Sequence, residues 1–491
     1  MRIGRKDAKT QSCRRCPTYG ILLALVFFPA TVAAQARYDL VIANGRVMDP
    51  ESKLDAVRHL GIRGGKIVAV SAAPLAGKTT IDARGLVVAP GFIDLHVHGQ
   101  DDENYRLYAQ DGVTTALELE VGVADIPAFY AEREGKALIN YGASIGHIKA
   151  RMAVLHDPGI FLPTGAGGRD PATPEQIAEM KRLIRRGLEQ GALGVGFGLQ
   201  YTPGASKWEV LEMFRVAAEF HAPIYVHTRS WGTRDPGSSV ESFMEVIAAA
   251  AITGAPLHIV HLNSMSLAST PQTLQIVAEA QKRGLDVTTE AYPYSAGMTE
   301  ISAPLLDQFE DAPDSMYAKL QLVSTGERLT RESFKANRKP GVMVILHLNT
   351  PEMEAMAITS PLTAIASDGR IEGGKGHPRT AGTSARVLGH YVRETGQLPL
   401  MEAIRKLALM PARRLERLDP EFRAKGRIKA GADADLAIFD PATVIDRATY
   451  AEPALPSTGF RFVLVGGVPV VRDGALVAGV FPGKPARAPR H

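Results

Sequence analysis

The sequence predicts an α/β protein in which a (β/α)8 barrel is joined to a small β-sandwich domain built from both chain ends. Short strand-like runs with tight turns occupy residues 38–90 and 428–480. Between them, apolar strand-like runs alternate with helical patterns over more than 300 residues, which is typical of a parallel barrel. The 491 residues, 45% hydrophobic and 22% charged, suit one large domain with an accessory one.

The first 36 residues have the order of regions found in a secretory signal peptide. A basic stretch that holds both cysteines, Cys13 and Cys16, is followed by the apolar run 21–28 and the small-residue sequence 34–36. This order predicts cleavage after Ala36 and an exported protein, periplasmic or secreted. The alternative is a membrane anchor, for which the apolar run is short.

The charge and cysteine counts change once residues 1–36 are set aside. Removing their six basic and one acidic side chains from totals of 56 and 52 leaves 50 and 51, a formal net charge of −1. We therefore expect no nucleic-acid partner, and no stable membrane insertion after cleavage. The remaining chain has no cysteine, so it offers no thiolate as a nucleophile or metal ligand.

The predicted domains follow from the change of pattern along the chain. Residues 37–90 and 427–483 are assigned to the β-sandwich domain, because Asn-Gly and Gly-Gly pairs separate alternating runs there. Residues 91–426 are assigned to the barrel. Its strand-like runs lie at 113–121, 192–198, 224–227, 257–262, 287–291, 342–348 and 364–366.

Helices, a lid and a tail complete the predicted organisation. Helices are predicted at 173–190, which has a proline in its first turn, and at 207–221. Residues 295–341 are long for one connection between barrel elements, so we expect a lid or binding loop there. The polar, proline-rich residues 484–491 are predicted to form a disordered tail.

Histidines and an aspartate stand where several predicted strands end. His96 and His98 are two residues apart, so in a strand they face the same side, and two converging imidazoles make a ready metal site. His227, His261 and Asp368 end three later strands at the face where barrel active sites lie. His258 has the opposite parity to His261, so we expect it to point toward the helices.

The run 113–121 carries two glutamates on one face of a strand. Its other face is apolar and is expected to meet the helices, so Glu118 and Glu120 are predicted to point into the barrel. Buried carboxylates are costly unless they are paired or bind a metal. Glu120 lies nearer the end of the strand and is the better candidate ligand, whereas Glu118 is expected one layer deeper, paired with an Arg or Lys.

These motifs resemble the amidohydrolase superfamily. The resemblance rests on the run GFIDLHVH at 91–98, on the later histidines and on the Ser-Asp-Gly sequence at 367–369. It is closest to the N-acyl-D-amino-acid deacylase (D-aminoacylase) family, to which runs at 191–204, 291–297 and 377–389 are also similar. The resemblance covers nearly the whole chain after residue 36.

The resemblance implies a zinc site and a set of roles. It implies that one or two Zn²⁺ ions are held by the five strand-end residues, which are His96, His98, His227, His261 and Asp368. It also implies catalysis by Asp368, contacts from Arg379 and Tyr294 to a substrate carboxylate, and a lid at 295–341. Tyr292, in the same Tyr-Pro-Tyr run, and His147, near a strand end, are further candidate substrate contacts.

Two departures from that family bear on the site. The family has a cysteine metal ligand after the Gly-Val-Thr-Thr strand, where this chain reads Leu-Glu-Leu-Glu-Val-Gly. Glu120 could replace it as an anionic bridge, and a carboxylated Lys149 is the alternative. The family also tends to have a lysine two residues after the ligand equivalent to His261, where this chain has Asn263.

The predicted function is zinc-dependent hydrolysis of a linear amide C–N bond in a small substrate, similar to the deacylases. A metal-activated water would attack the carbonyl, with Asp368 acting first as general base and then as general acid. A cyclic-amide hydrolase related to hydantoinase or dihydroorotase, or a dipeptidase, is the alternative, and Asn263 fits a ring substrate that needs no carboxylate anchor. The non-enzyme alternative is a metal-free scaffold protein on the same fold, against which the complete ligand set argues.

Overall fold

The architecture is that of a computed structural model, which describes residues 37–490. The predicted signal peptide, residues 1–36, lies outside the described residues. Within 37–490, no helix has both the length and the apolar character needed to cross a membrane.

Twenty-two strands and fifteen α-helices make up this part of the chain. In chain order the strands are β1 Tyr38–Asp49, β2 Leu54–Arg63, β3 Lys66–Ser71, β4 Gly77–Asp82, β5 Val87–Pro90, β6 Phe92–Asp94, β7 Val113–Val123, β8 Asn140–Gly146, β9 Val195–Gly198, β10 Ile224–His227, β11 Leu257–Ile259, β12 Val287–Ala291, β13 Gly297–Glu300, β14 Leu320–Leu322, β15 Met343–Leu346, β16 Thr363–Ile365, β17 Ile371–Glu372, β18 Lys375–Gly376, β19 Leu436–Phe439, β20 Phe460–Val465, β21 Val468–Arg472 and β22 Ala475–Leu476. The helices are α1 Asp102–Gln110, α2 Ile126–Arg133, α3 His147–Val154, α4 Ala166–Arg169, α5 Pro174–Glu189, α6 Lys207–Glu219, α7 Ser239–Thr253, α8 Leu262–Ser266, α9 Thr270–Lys282, α10 Asp314–Tyr317, α11 Arg331–Asn337, α12 Pro351–Thr359, α13 Arg379–Arg386, α14 Leu400–Ile404 and α15 Met410–Leu415.

Eight parallel strands form the predicted barrel, in the order β16-β12-β11-β10-β9-β8-β7-β6. The two end strands meet through their C-terminal extensions: Asp368 N donates to His96 O (2.7 Å) and His98 N donates to Gly369 O (2.8 Å). The buried carboxylate of Asp94 accepts from Ser367 N (3.0 Å) across the same junction. The barrel is therefore closed where its strands end, which brings those ends together as predicted.

The accessory domain is one nine-stranded sheet that takes strands from both chain ends. The N-terminal β5 pairs antiparallel with the C-terminal β19, with Val88 opposite Ile438. Apolar side chains of both segments, among them Ile42, Leu60 and Leu436, share one buried cluster. This β-rich domain on an eight-stranded barrel confirms the predicted fold class.

A separate three-stranded sheet stands in the segment where the lid was expected. It has the order β13-β15-β14, so the run 342–348, assigned above to the barrel, belongs to this sheet instead. Its side chains pack with Leu305, Phe309 and Phe334 in a cluster of their own. The strand that completes the barrel is β8, whose sequence NYGASIG has two glycines and few apolar residues. Its pattern is weak because glycine contributes no side chain to the alternation.

The two predicted helices form close to the expected bounds, as α5 and α6. Thr173 caps α5 in a reciprocal capping box with Gln176, which explains its sharp start. The tail differs from the prediction of disorder: Ala486 N donates to Tyr141 O (2.7 Å) and Ala488 N to Gly191 O (3.2 Å). These backbone bonds, with burial of the two alanines beneath the barrel strands, place residues 484–490 against the barrel.

Candidate active site

The predicted metal ligands converge where the barrel strands end. His96 and His98 follow β6, Glu120 lies in β7, His227 ends β10, and His261 and Asp368 lie just beyond β11 and β16. In the described part of the chain these residues form three overlapping groups, each with its donor atoms within 4.8 Å of one another. The groups are His96–His98–Glu120, His96–His261–Asp368 and Glu120–His227–His261.

Three of the four imidazoles are held by a hydrogen bond on the nitrogen that faces away from this centre. His96 Nδ1 lies 2.7 Å from Glu290 Oε1, and His98 Nδ1 lies 2.9 Å from Glu118 Oε2. His227 Nε2 lies 2.8 Å from Gln200 Oε1. These outer partners fix each ring's orientation and leave its other nitrogen aimed at the centre, as around bound metals.

The inward-facing atoms fit a bound cation. With Nδ1–H donating to a carboxylate, His96 and His98 each carry a lone pair on Nε2, and these two atoms are 3.2 Å apart. Glu120 Oε2 lies 3.1 Å from His98 Nε2. Glu120 Oε1 and His227 Nδ1 lie 3.1 Å apart, and the buried His261 Nδ1 has no hydrogen-bond partner. Crowded acceptors of this kind repel one another unless positive charge lies among them, and imidazole with carboxylate suits Zn²⁺.

Glu120 reaches the centre, although not by the predicted parity. Leu117 and Leu119 pack inside the barrel with Ile93 and Tyr225, rather than against the helices. The register between β7 and β8 shifts after Glu118, so regular alternation ends there. Both glutamates then contact His98, and Glu118 bonds to this histidine instead of the expected Arg or Lys.

Lys149, the alternative bridging residue, is turned away from the centre. Its Nζ donates to Ile160 O and Phe161 O, each at 2.8 Å. Burial lowers the pKa of this ammonium, and nearby carboxylates oppose the shift. Glu120, by contrast, belongs to two of the three donor groups and lies 3.1 Å from His98 Nε2. The geometry therefore favours Glu120.

Asp368 is placed between the ligand cluster and Arg379. Its Oδ1 lies 3.2 Å from His98 Nε2, and its Oδ2 lies 2.9 Å from Arg379 Nη2. Burial alone would raise the pKa of Asp368, but the Arg379 guanidinium beside it holds that pKa well below its usual range. The residue has φ of 54°, a strained conformation for a non-glycine residue. Asp368 is thus an ionised carboxylate whose orientation is fixed by Arg379.

Two small cavities flank the cluster and share Asp368 and Tyr201. The first, of about 50 Å³, is lined by His227, His261 and Tyr292 together with apolar residues of the lid segment. The second, of about 20 Å³, is lined by His98, Glu120, Arg379 and other residues. A substrate in either cavity would touch metal ligands, so both belong to one site.

The sequence matches the amidohydrolase family profile over residues 79–361 and 275–471. Among curated proteins it is 31% identical to N-acyl-D-glutamate deacylase of Alcaligenes xylosoxydans xylosoxydans, over 89% of this chain and 94% of that protein. It is 29% identical to D-aminoacylase of the same organism, over 89% and 96%. The chain belongs to the amidohydrolase family.

A solved structure agrees with this membership. N-acyl-D-glutamate deacylase from Bordetella bronchiseptica, complexed with zinc and a phosphonate inhibitor, superposes with a TM-score of 0.78 at 26% identity, covering 92% of this chain and all of that one. The resemblance to N-acyl-D-amino-acid deacylases that the motifs implied is thereby confirmed.

The other predicted substrate contacts of this amidohydrolase occupy different places. Tyr292 lines the first cavity and lies under Arg379, whose guanidinium carbon is 4.6 Å from the ring centroid. Tyr294 lies outside the two cavities and donates from its hydroxyl to Asp446 (3.3 Å). His147 is also remote: it is fully buried, and its Nε2 is 2.8 Å from Glu209. Burial in that separate ion pair removes His147 from the surface a substrate could reach.

His258 contradicts the expectation that it points toward the helices. Its Nε2 lies 2.9 Å from Glu290 Oε2, and Glu290 also holds His96. The strand β11 ends at Ile259, and His261 has φ of 30°, so the two histidines do not belong to one regular strand. Alternation counted back from His261 across the end of the strand therefore predicted the wrong side of the barrel wall for His258.

The sequence reasoning missed Glu290 and Gln200 of this amidohydrolase. Burial alone would raise the pKa of Glu290, but His258 and His96 lower it to about 2, so it remains an anion between two imidazoles. Glu290 stands in the strand VTTEA, and the reasoning that selected Glu118 and Glu120, a carboxylate within an apolar strand, would have found it. Gln200 follows β9 in a turn and carries no comparable signal.

Proposed function

We propose that this amidohydrolase is a zinc-dependent deacylase that hydrolyses the linear amide bond of small N-acyl amino acids, with the D-configuration named in its relatives. The observation that carries the proposal is the position of Arg379. Its guanidinium touches Asp368 at the edge of the ligand cluster, while its Nε and Nη1 atoms are buried without partners. A buried cation with free donors beside a hydrolytic centre suits a substrate carboxylate.

The residues that would hold zinc are those of the three overlapping donor groups. They are His96, His98, Glu120, His227, His261 and Asp368. Burial, together with neighbouring His227, lowers the pKa of His261 to about 3, so its ring is neutral near pH 7, as a metal ligand must be. Zinc bound there supplies Lewis-acid polarisation of the carbonyl and lowers the pKa of the attacking water.

Asp368 carries the proton in the proposed reaction. Its carboxylate is ionised and oriented by Arg379, so it can accept a proton from the attacking water. It then delivers that proton to the amine nitrogen as the amide bond breaks. Arg379 neutralises the substrate carboxylate and keeps the scissile bond within reach of Asp368.

A cyclic-amide hydrolase is the second candidate, favoured by the surroundings of Asn263. Its Nδ2 donates to Tyr292 O (3.0 Å), and its Oδ1 accepts from Tyr292 N (3.4 Å). The side chain is therefore fully used by the main chain and presents no charge to the first cavity. A ring substrate without a free carboxylate would not need a positive charge at this position.

The exported location is a further proposal, supported by the order of regions in residues 1–36. Fractionation of the producing cells and N-terminal sequencing of the mature protein test it. A mature protein that begins near residue 37 outside the cytoplasm is expected, and an intact Met1 in the cytoplasm would contradict it.

A substrate panel with metal analysis tests the proposed activity. We expect bound zinc and turnover of N-acetyl-D-amino acids above that of their L-forms, dipeptides and hydantoins. Preferred turnover of hydantoins would favour the second candidate. Purified protein without metal, inactive after zinc is added, would favour the scaffold alternative.

A further inference from the structure

An apolar path leads from the ligand cluster to the protein surface. Trp231, Leu267 and Leu348 line the first cavity, which His227, His261 and Asp368 also line. The same three apolar residues line an open groove of about 220 Å³ farther out. The inner cavity and the outer groove are therefore neighbours that share these three apolar side chains as a common wall.

The inner cavity is too small to enclose a large substituent. Its volume of about 50 Å³ is room for about four water molecules at 10–15 Å³ each. A substituent with more atoms can extend past Trp231, Leu267 and Leu348 toward the groove. The groove is thus the natural extension of the substrate site.

The outer groove has the chemistry of an alkyl-binding surface. Its walls are completed by Phe309, Ala312, Met316 and Gln308, and Lys319 is the charged residue among its lining. Half-buried Met316 and Ala312 pack against the apolar core of the lid segment, as do Trp231 and Leu348. The groove wall is therefore part of a packed core that is left open to solvent along one side.

A second groove near the site differs in charge. It has about 260 Å³ and lies on the other side of Met298, but Arg370, Glu372 and Lys375 line it. Burying an alkyl chain against these ionised groups would desolvate them at a cost. An apolar chain is therefore directed to the groove of Phe309 and Met316, and Val323 in the charged groove provides a matched control.

We infer that this amidohydrolase takes substrates with a long apolar chain, which runs from the ligand cluster past Trp231, Leu267 and Leu348 into the outer groove. The inference rests on the proposed deacylase function and specifies its substrate class. The chain is either the acyl group or the side chain on the amino acid's α-carbon, since both are attached close to the scissile bond. The two sources leave different products, an alkanoate and a 2-aminoalkanoic acid.

Binding of these products tests the path without turnover. The chain has two tryptophans, and Trp208 is exposed on α6 away from the groove, so Trp208→Phe leaves Trp231 as the sole reporter. Titration of the zinc-loaded variant with alkanoates from acetate to decanoate, and with D-2-aminoalkanoic acids of matching length, should change Trp231 emission. In one series the affinity should rise by up to about fourfold per added methylene group.

Variants of residues that line the two grooves identify which groove holds the alkyl chain of the ligand. Met316→Lys places an ammonium group in the groove. It should therefore remove most of the increase in affinity from acetate to decanoate, or from D-alanine to its long-chain homologue. Met316→Leu should keep the gain. Val323→Lys adds the same charge to the other groove and should leave the chain-length dependence unchanged. Equal loss in Met316→Lys and Val323→Lys would overturn the assignment to this groove.

The proposed function and the inference can fail separately. Affinity that is flat with chain length in both series, in a protein that hydrolyses N-acetyl-D-alanine, overturns the apolar path and leaves the deacylase function in place. Affinity that rises with length, in a protein that hydrolyses no N-acyl amino acid, overturns the deacylase function and leaves the apolar path intact.

Discussion

The ligand cluster at the barrel mouth and the apolar wall that faces it differ in the origin of their residues. The ligands come from strand ends or lie within a few residues of them, and hydrogen bonds to Glu290, Glu118 and Gln200 orient three of the imidazoles. Much of the wall comes from connections and from the inserted three-stranded sheet, and apolar contacts hold it. The first region is fixed by directional bonds and serves the chemistry, whereas the second is set by packing and serves the choice of substrate.

Removal of the proton acceptor should have the largest effect and should leave the wall intact. Asp368→Asn keeps the size of the side chain but cannot accept a proton, so kcat should fall by about 10²–10⁴-fold, and Tm should fall as well because the buried Arg379 loses its charged partner. Steady-state kinetics with N-acetyl-D-amino acids and a thermal melt measure both quantities. A kcat close to that of the unmodified enzyme would exclude the assigned role.

The bridging ligand is the next test of the cluster. Glu120→Ala should lose bound zinc because it removes an oxygen shared by two donor groups, whereas Lys149→Ala should retain it. Metal analysis of the two purified proteins gives the answer directly. Zinc retained in Glu120→Ala and lost in Lys149→Ala would assign the bridge to a carboxylated lysine.

Substitution of Glu290, the carboxylate that holds His96 from outside the ligand cluster, should have an intermediate effect. Glu290→Gln weakens the hold on His96 Nδ1, so zinc affinity should fall by about 10–100-fold. The matched control is Glu209→Gln, which alters another buried glutamate–histidine pair, with His147, away from the cluster. Competition with a chelator should separate the two variants. Equal affinities in both would show that Glu290 has only a structural role.

The smallest expected effect is at the junction between cluster and wall. Asn263→Ala removes two hydrogen bonds to the main chain of Tyr292, so the free energy of unfolding should fall by about 1–3 kcal/mol. KM should rise more than kcat falls, because Tyr292 lines the cavity without holding the ligands. Asn349→Ala, which removes one bond to the carbonyl of Asn263, is the milder control. A larger effect on zinc content than on KM would show that Asn263 supports the ligand cluster, and would contradict the separation of the cluster from the wall.

The sequence predicted the cluster better than the wall for a physical reason. A metal ligand has to be one of a few residue types, and parallel strands in one barrel end at the same face, so His96, His227 and Asp368 could be grouped before any contact was known. An apolar residue such as Leu348 carries no comparable sequence signal, since a leucine is equally suited to a barrel strand and to a lid. The run 342–348 was assigned to the wrong sheet for that reason.

Parity was the weakest step where strands end. His258 and Leu117 both face opposite to their predicted sides, because β11 ends before His261 and the pairing of β7 with β6 shifts register between Val113 and Thr115. Alternation predicts a face only while the backbone stays extended. Glu120 reaches the centre from a part of β7 that lies beyond the register shift with β8, which the alternation did not contain.

By itself, the sequence determined the barrel with its β-domain from both chain ends, the family resemblance and the residue types at the strand ends. The barrel and the strand ends follow from periodicity and side-chain chemistry, which are local properties, and the resemblance follows from short motifs. The tertiary structure decided that Glu120 contacts the histidines, that Glu290 joins His96 to His258, and that an apolar groove lies beside the site. Those features depend on contacts between residues far apart in the chain, which are fixed when the barrel closes and the inserted sheet packs over it.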